Sequence, residues 1–415
     1  MRILVLSDKT LSRRLGDGLR VYGLLKHLTG THRFDLVSFC REDDDADPEV
    51  ARLFASVTTI PAPAPRRSSW LRRLYKAVSG SDFKHTSPAM QSAIANVIAE
   101  HPPDLVLDVG ASAVPNLPSG PLPAPLVVDS IDEPLLREMR ALRQGLVGER
   151  AAHLYQSWRF WNYERKALGR AALNIYVSEV DAEVYRRFFP DRAVAVVPNG
   201  VDVEYFRPLP VPVDPRYVVF EGNMHFGPNI DAAQRLVRDI LPLMRERMPD
   251  VHVGLVGRDP VDEVQKLSSP AVEITGTVDD VRPYLARAAV FACPLQLGSG
   301  IKNKILQAWA MGRPVVATPQ CLGGLSAQDG RNILVRSEPR AFADAVCELL
   351  ADSDRSAALG AAGRETVLRE YSWESQATIF ESLLMSVVSE CSRRKPDVVA
   401  SGAPSSTDRL PEPRS

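Results

Sequence analysis

Gly298-Ser299-Gly300 runs straight into Ile301-Lys302-Asn303-Lys304-Ile305-Leu306-Gln307-Ala308-Trp309-Ala310, the stretch whose residue types point most directly to chemistry. A glycine loop entering a helix leaves backbone N–H groups free at the positive end of the helix dipole, and a diphosphate is the ligand that arrangement favours. Lys302 and Lys304 add positive charge to a first turn where the dipole alone would prefer acids. That inversion makes sense if an anion sits there. Glycine loops are weak signals by themselves, so an ordinary structural turn stays open at this point.

Other clusters carry two readings each. Asp129-Ser130-Ile131-Asp132-Glu133 follows an apolar run, so Asp129 or Asp132 could orient a reacting hydroxyl or cap the next helix. Asp43-Asp44-Asp45-Ala46-Asp47 has the look of a divalent-metal motif, but a solvated acidic loop is the favoured reading, and no metal is expected. In Arg66-Arg67-Ser68-Ser69-Trp70-Leu71-Arg72-Arg73-Leu74-Tyr75-Lys76-Ala77-Val78, basic residues interleave with an apolar helical face. It reads either as a helix lying on anionic lipid or as a surface helix packed on its own domain. Trp158 to Glu164 is expected to be buried packing. Among the histidines, only His225, in a glycine loop, is placed to touch a ligand. No Ser-His-Asp order or HExxH pattern supports hydrolysis.

These residues need elements to position them. The 415-residue chain exceeds one ordinary hydrophobic core, so two domains are expected. Short apolar runs at 3–6, 34–39, 105–107, 126–128, 173–177 and 194–197 alternate with helical stretches such as 19–29, the pattern of a doubly wound parallel sheet. The pattern restarts with runs at 217–220, 251–256, 272–275, 290–293, 315–318 and 332–335, and helices at 229–248, 301–311 and 339–350. Phe206-Arg207-Pro208-Leu209-Pro210-Val211-Pro212 is a proline-dense linker between the halves. The boundaries read as 1–205, 206–388 and a disordered tail over 389–415, with a last helix at 372–388 that crosses back to the first half.

Composition narrows the class. A formal net charge of −1 gives no general attraction to nucleic acid. Five dispersed cysteines, none in a CxxC pair, read as buried thiols in a reducing compartment. No apolar run approaches the roughly 20 residues that cross a bilayer. A cytoplasmic protein is expected, with attachment to the inner face of the plasma membrane as its one membrane option.

In order along the chain, Val197-Pro198-Asn199-Gly200-Val201-Asp202, Gly222-Asn223-Met224 with Pro228-Asn229, Val256-Gly257-Arg258, Thr275-Gly276-Thr277-Val278, Gly300 to Thr318 and Tyr371-Ser372-Trp373-Glu374 resemble family 4 glycosyltransferases. Gly16-Asp17-Gly18-Leu19-Arg20 through His27-Leu28 resembles the subgroup associated with exopolysaccharide gene clusters. The resemblance covers nearly everything to about residue 388 and implies a GT-B fold, two Rossmann-like domains facing a cleft. It implies a retaining, metal-independent transfer of a hexose from a nucleotide-diphosphate sugar, with no separate cofactor, to a hydroxyl acceptor. The acceptor would be a lipid-linked glycan or a small natural product.

Carried over by position, amides around Gly300 and Ile301 hold the diphosphate, Thr277 and Val278 frame the base, and Gly222 with Asn223 lets the chain approach the phosphates. Read from the residues themselves, Gly16 and Gly18 let the backbone approach the donor and the acceptor at the cleft, with Asp17 and Arg20 toward the acceptor, or the loop is a plain turn. Asp129 or Asp132 could orient the acceptor or steady positive character at the anomeric carbon. Two departures stand out. Gln307 and Ser299 occupy positions where the family has glutamates, and the second domain's first loop lacks the usual Arg and Lys. Lys302, Lys304 and Arg258 are the expected replacements. A nucleotide-sugar or glycan-binding subunit of weak activity is the rival reading. An epimerase or phosphorylase finds no matching side-chain set.

Overall fold

The computed structural model describes residues 1–13, 16–41, 47–63, 86–131, 133–144, 147–296 and 301–394. The sequence 66–78 and the aspartates 43–45 lie outside them, as do Asp132, Gly298, Ser299, Gly300 and the expected tail from 395 onward.

In the first half, strands β1 (Arg2–Ser7), β2 (Arg33–Cys40), β3 (Ser56–Pro61), β4 (Leu105–Val109), β5 (Leu126–Ile131), β6 (Leu173–Tyr176) and β7 (Val194–Val196) form one sheet in the order β3-β2-β1-β4-β5-β6-β7. Every pairing is parallel. In the second half, β8 (Asp214–Glu221), β9 (His252–Val256), β10 (Val272–Ile274), β11 (Ala288–Cys293), β12 (Val315–Ala317) and β13 (Leu334–Val335) form a second sheet, β10-β9-β8-β11-β12-β13. It too is wholly parallel. Helices cover both faces, so central strands such as β1 and β11 are almost continuously buried and apolar. In each sheet the strand order reverses at the centre, between β1 and β4 and between β8 and β11. Ligands of doubly wound sheets bind outside the strands' carboxyl ends at such a switch point.

Several elements depart from the sequence expectation. Strand β3 goes unread because it is an edge strand whose residues alternate half-buried and exposed, with Thr58, Thr59 and Pro61 diluting the apolar signal. The helix Ser353–Glu370 also goes unread; its alanines and glycines carry little hydrophobic periodicity. The first helix spans Gly16–Leu25 rather than 19–29. Gly18 lies inside it, at a position where a Cβ would stand 2.2 Å from the Ser12 carbonyl oxygen.

The helix expected at 229–248 forms as Gly227–Arg235, a π turn at Leu236–Ile240 and Leu241–Arg247. Pro242 follows that turn, and its missing N–H is the local reason for the altered ladder.

The last helix, Trp373–Arg394, crosses to the first half, and it continues past 388. Trp373, Ala377, Phe380, Leu384 and Val387 repeat at helical spacing and join the core beneath β1. Trp373 is seated by absent side chains: a Cβ on Gly23 or Gly200 would stand 2.2 or 2.6 Å from its indole. Glu381 on the same helix bonds His32 at 2.7 Å.

Candidate functional site

The second switch point gathers the expected donor residues. The helix Asn303–Ala310 begins just after β11, with Lys302 as its N-cap residue, 9% exposed, and Ile301 buried beside it. Lys304 reaches across to β8, where its Nζ donates to the Glu221 carbonyl oxygen at 2.7 Å and to Asn229 Oδ1 at 2.8 Å. The ammonium also lies 4.4 Å from the centre of the Phe220 ring. Asn229 in turn donates through Nδ2 to the Asn223 carbonyl at 2.8 Å, fixing the loop after β8. The Glu221 carboxyl is raised by burial and only partly held down by Lys304. Gln307 lies half-buried one turn after Lys304, on the same side of the helix.

Glycine is required twice here. A Cβ on Gly222 would stand 2.6 Å from Lys304 Nζ, and one on Gly257, whose φ is +148°, would stand 1.8 Å from the Gly222 carbonyl oxygen. Arg258 is more exposed and faces Asp259 at 3.8 Å, while its carbonyl accepts from Met224 N–H. His225 is exposed, and its N–H bonds Asn223 Oδ1 at 3.0 Å, so the Asn223 side chain shapes the turn. Thr277 is exposed and Val278 packs on the core.

Below this site two thiols meet that the sequence left apart. Cys293, at the end of β11, and Cys321 lie with their sulfurs 3.5 Å apart, both free and buried. The Cys321 thiol is drawn down to about 6, first by the Cys293 thiol, then against burial by Thr318 and the Lys302 charge. Burial pushes Cys293 up.

In the first half the structure reassigns two expected roles. Arg20, expected to meet the acceptor, is 1% exposed and forms a bidentate pair with Asp129, expected to be catalytic, at 2.8 and 3.0 Å. Arg20 also donates to Asn199 Oδ1 at 3.0 Å and to the Pro198 carbonyl at 3.3 Å. A buried guanidinium satisfied in this way is a positioning group that ties the first helix to the loop before the linker. Asp17 pairs with Lys9 at 2.5 Å at the mouth of the β1/β4 switch point, beside Gly110. Gly16 is exposed, with open space around it. Ile131, at the end of β5, has φ +67°, a strained geometry for a β-branched residue, at the cleft end of the strand.

Two further expectations are corrected or explained. Trp158 is 39% exposed and stacks on Tyr155, so the aromatic run is not uniformly buried; Asn162, Tyr163 and Glu164 are its buried part. Asp47, at the end of the acidic run, caps the helix Pro48–Ala51 and pairs with Arg13, whose hydrogen bond pulls its carboxyl down to about 2. Among the described residues, no three His, Cys, Asp or Glu side chains cluster as metal ligands, and no helix is long and apolar enough to cross a membrane.

Asn229 and Glu221 were not among the residues singled out for the site. Their parts in it are set by Lys304, 75 and 83 residues away in the chain, which no local pattern reveals.

Two parallel Rossmann-like sheets, with a helix entry and lysines at the second switch point and a C-terminal helix returning to the first half, define the GT-B fold. Comparison with known proteins agrees. Residues 16–205 match the family model Glycosyltransferase Family 4, and residues 215–352 match Glycosyl transferases group 1. Both halves of the chain thus match glycosyltransferase models, the first half that of family 4.

A GDP-mannose-dependent alpha-(1-6)-phosphatidylinositol monomannoside mannosyltransferase of Mycobacterium tuberculosis is 33% identical over 218 residues, 46% of this chain and 55% of that one. The lipopolysaccharide core biosynthesis glycosyltransferase LpsE of Rhizobium meliloti is 32% identical over 148 residues, 34% and 43% of the two chains. The match thus spans about half the length of these relatives. In fold, the chain is similar to HepE of Anabaena, solved with UDP and glucose, at a TM-score of 0.64 and 16% identity over 92% of this chain and 99% of that one. It is also similar to sucrose-phosphate synthase of Thermosynechococcus elongatus, at 0.67 and 17% over 94% and 99%.

Proposed function

We propose that this chain transfers a hexose from a nucleotide-diphosphate sugar to a hydroxyl acceptor, with retention of anomeric configuration and without a resident metal. The observation that carries the reading is the convergence of Lys302, Lys304 and the N-terminus of the helix Asn303–Ala310 at the β8/β11 switch point. Positive charge and free N–H groups gathered there neutralise a departing diphosphate. In this reaction the acceptor oxygen bonds to the anomeric carbon as the bond from that carbon to the phosphate oxygen breaks. The leaving phosphate takes the acceptor proton, so the chain supplies orientation and charge rather than a dedicated base.

In this reading the second half, 206–388, takes the donor. Gly300 and Ile301 amides meet the diphosphate, with Ser299 beside them. Gln307 meets the ribose, Thr277 and Val278 frame the base, and Gly222, Asn223, His225 and Arg258 border the phosphates. The first half, 1–205, takes the acceptor near Asp17 and Asp132, with Gly16 bordering the donor. The relatives named for phosphatidylinositol mannosides and lipopolysaccharide core support a glycolipid acceptor. That fits a protein working at the cytoplasmic face of a membrane, with 66–78 as its contact. The donor in this reading is a UDP-, GDP- or dTDP-sugar.

Calorimetry with UDP, GDP and dTDP, followed by turnover across the matching sugar donors, tests the proposal. Binding of one nucleotide with transfer or donor hydrolysis is expected. Binding without turnover on any donor favours the binding-subunit reading, to which Gln307 in place of a glutamate lends its support. No binding at all overturns both.

A further inference from the structure

Tyr371 connects three parts of the molecule that must move together if the cleft closes. It ends the helix Ser353–Glu370 and is 3% exposed. Its carbonyl oxygen accepts from Val201 N–H at 2.7 Å, and Val201 bridges to Ser372, so the chain leaving the first half and the chain returning to it are joined here. Its hydroxyl points the other way. It accepts from Ser326 N–H at 2.7 Å and lies 3.2 Å from both the Gly324 carbonyl and Ser326 Oγ.

The segment so held, Leu322 to Ser326, spans the cleft. Gly324 has φ +76°, and a Cβ there would stand 2.7 Å from Ile301 Cγ1 and 2.8 Å from Ser178 Cβ. Ile301 enters the donor-site helix, whereas Ser178 caps the helix Glu179–Phe188 of the opposite half. Gly324 is therefore wedged between the donor entry and the other domain, with no room for a side chain. Asn332 secures the same segment from behind, its Nδ2 donating to the Ser326 carbonyl at 2.9 Å.

We infer that Tyr371 is a positioning residue: its hydroxyl sets the Gly324 segment so that contact with the first half and the placement of Ile301 are coupled. The inference rests on the donor-site reading of Ile301. Tyr371→Phe keeps the buried ring and removes only the hydroxyl, which leaves the Ser326 N–H without its partner. Such a loss is worth about three- to tenfold in an equilibrium that depends on it.

The test uses the full chain and whichever of UDP, GDP or dTDP the wild type binds. Tyr371→Phe is expected to raise its dissociation constant about three- to tenfold, with the melting temperature shifted by only a few degrees. Gly324→Ala is expected to do the same from the other end of the contact, and the double variant to be no worse than the weaker single one, as for groups acting through one element. Hydrogen exchange provides a readout without nucleotide: Tyr371→Phe should speed exchange at 322–327 and also at 301–306. Fully additive single effects, or faster exchange confined to 322–327, overturn the coupling. A wild type that binds no nucleotide overturns the donor reading instead, and exchange at 301–306 still decides the coupling.

Discussion

The two switch points use charge in opposite ways. In the first half, Arg20 and Asp129 meet in the interior and Lys9 meets Asp17 at the mouth, so cations there are matched by carboxylates of the same half. In the second half, Lys304 donates to a carbonyl and an amide oxygen, which are neutral groups, and the nearest acid, Glu221, is pushed toward its protonated form by burial. The first arrangement fixes loop shape. The second leaves net positive charge at a helix N-terminus, which is what an anionic ligand needs. Two folds of one design therefore divide the labour, one holding geometry and the other holding charge.

The comparison can be broken at several points, beginning with the largest expected effect. Arg20→Met leaves Asp129 buried without its partner and should lower unfolding free energy by about 3–5 kcal/mol in a denaturant melt. Changing both residues to apolar ones should recover most of it; a single variant as stable as wild type would show that the pair does not hold the loop.

Lys304→Ala should lower turnover about a hundredfold, the usual scale for removing one group that stabilises developing charge, with the acceptor KM little changed. Equal losses in both kinetic constants would move Lys304 from charge stabilisation to general structure.

A third effect concerns the buried acids behind the first-half site. Glu133 is raised to about 7 and Glu164 well above its usual range, both chiefly by burial, with Glu133 Oε1 also accepting from Leu135 N–H at 2.9 Å. The folded state keeps protons there that the unfolded chain releases, so stability falls as pH rises above about 4.5; the Glu133 share is spent by about 7, while Glu164 goes on contributing above it. Glu164→Gln should flatten that decline, by about 1–3 kcal/mol between pH 5 and pH 8. Parallel pH profiles for the two proteins would exclude the pair as its source.

The smallest effect is at Gln307. Restoring a carboxylate with Gln307→Glu should tighten binding of the nucleoside diphosphate about three- to tenfold through a charge-assisted bond to the ribose. Equal tightening for the ribose and 2′-deoxyribose forms would place Gln307 away from that hydroxyl.

Much of this was legible before the fold. Eleven of the twelve apolar runs from Ile3–Leu6 to Val315–Thr318 and Asn332–Val335 became the cores of strands within a residue or two, and Asn332–Val335 did so only at its end. That reliability has a cause: a strand buried on both faces must be apolar throughout. The edge strand Ser56–Pro61 escaped because only one of its faces is covered. The helix entry at Asn303 with its lysines was legible because helix dipole and side-chain charge are local properties. The partner of a charge is not local. Arg20 and Asp129 are 109 residues apart, and nothing in either neighbourhood announces that they neutralise each other.

The sequence alone thus determined the alternation of elements and the two sheets, because both follow from hydrophobic period within a short window. Tertiary structure decided which charges face the cleft and which are used up inside, that Lys304 anchors on Glu221 and Asn229, and that Tyr371 reaches Gly324. Those choices are contacts between distant segments, and a contact exists only once both sheets have formed and the last helix has crossed back.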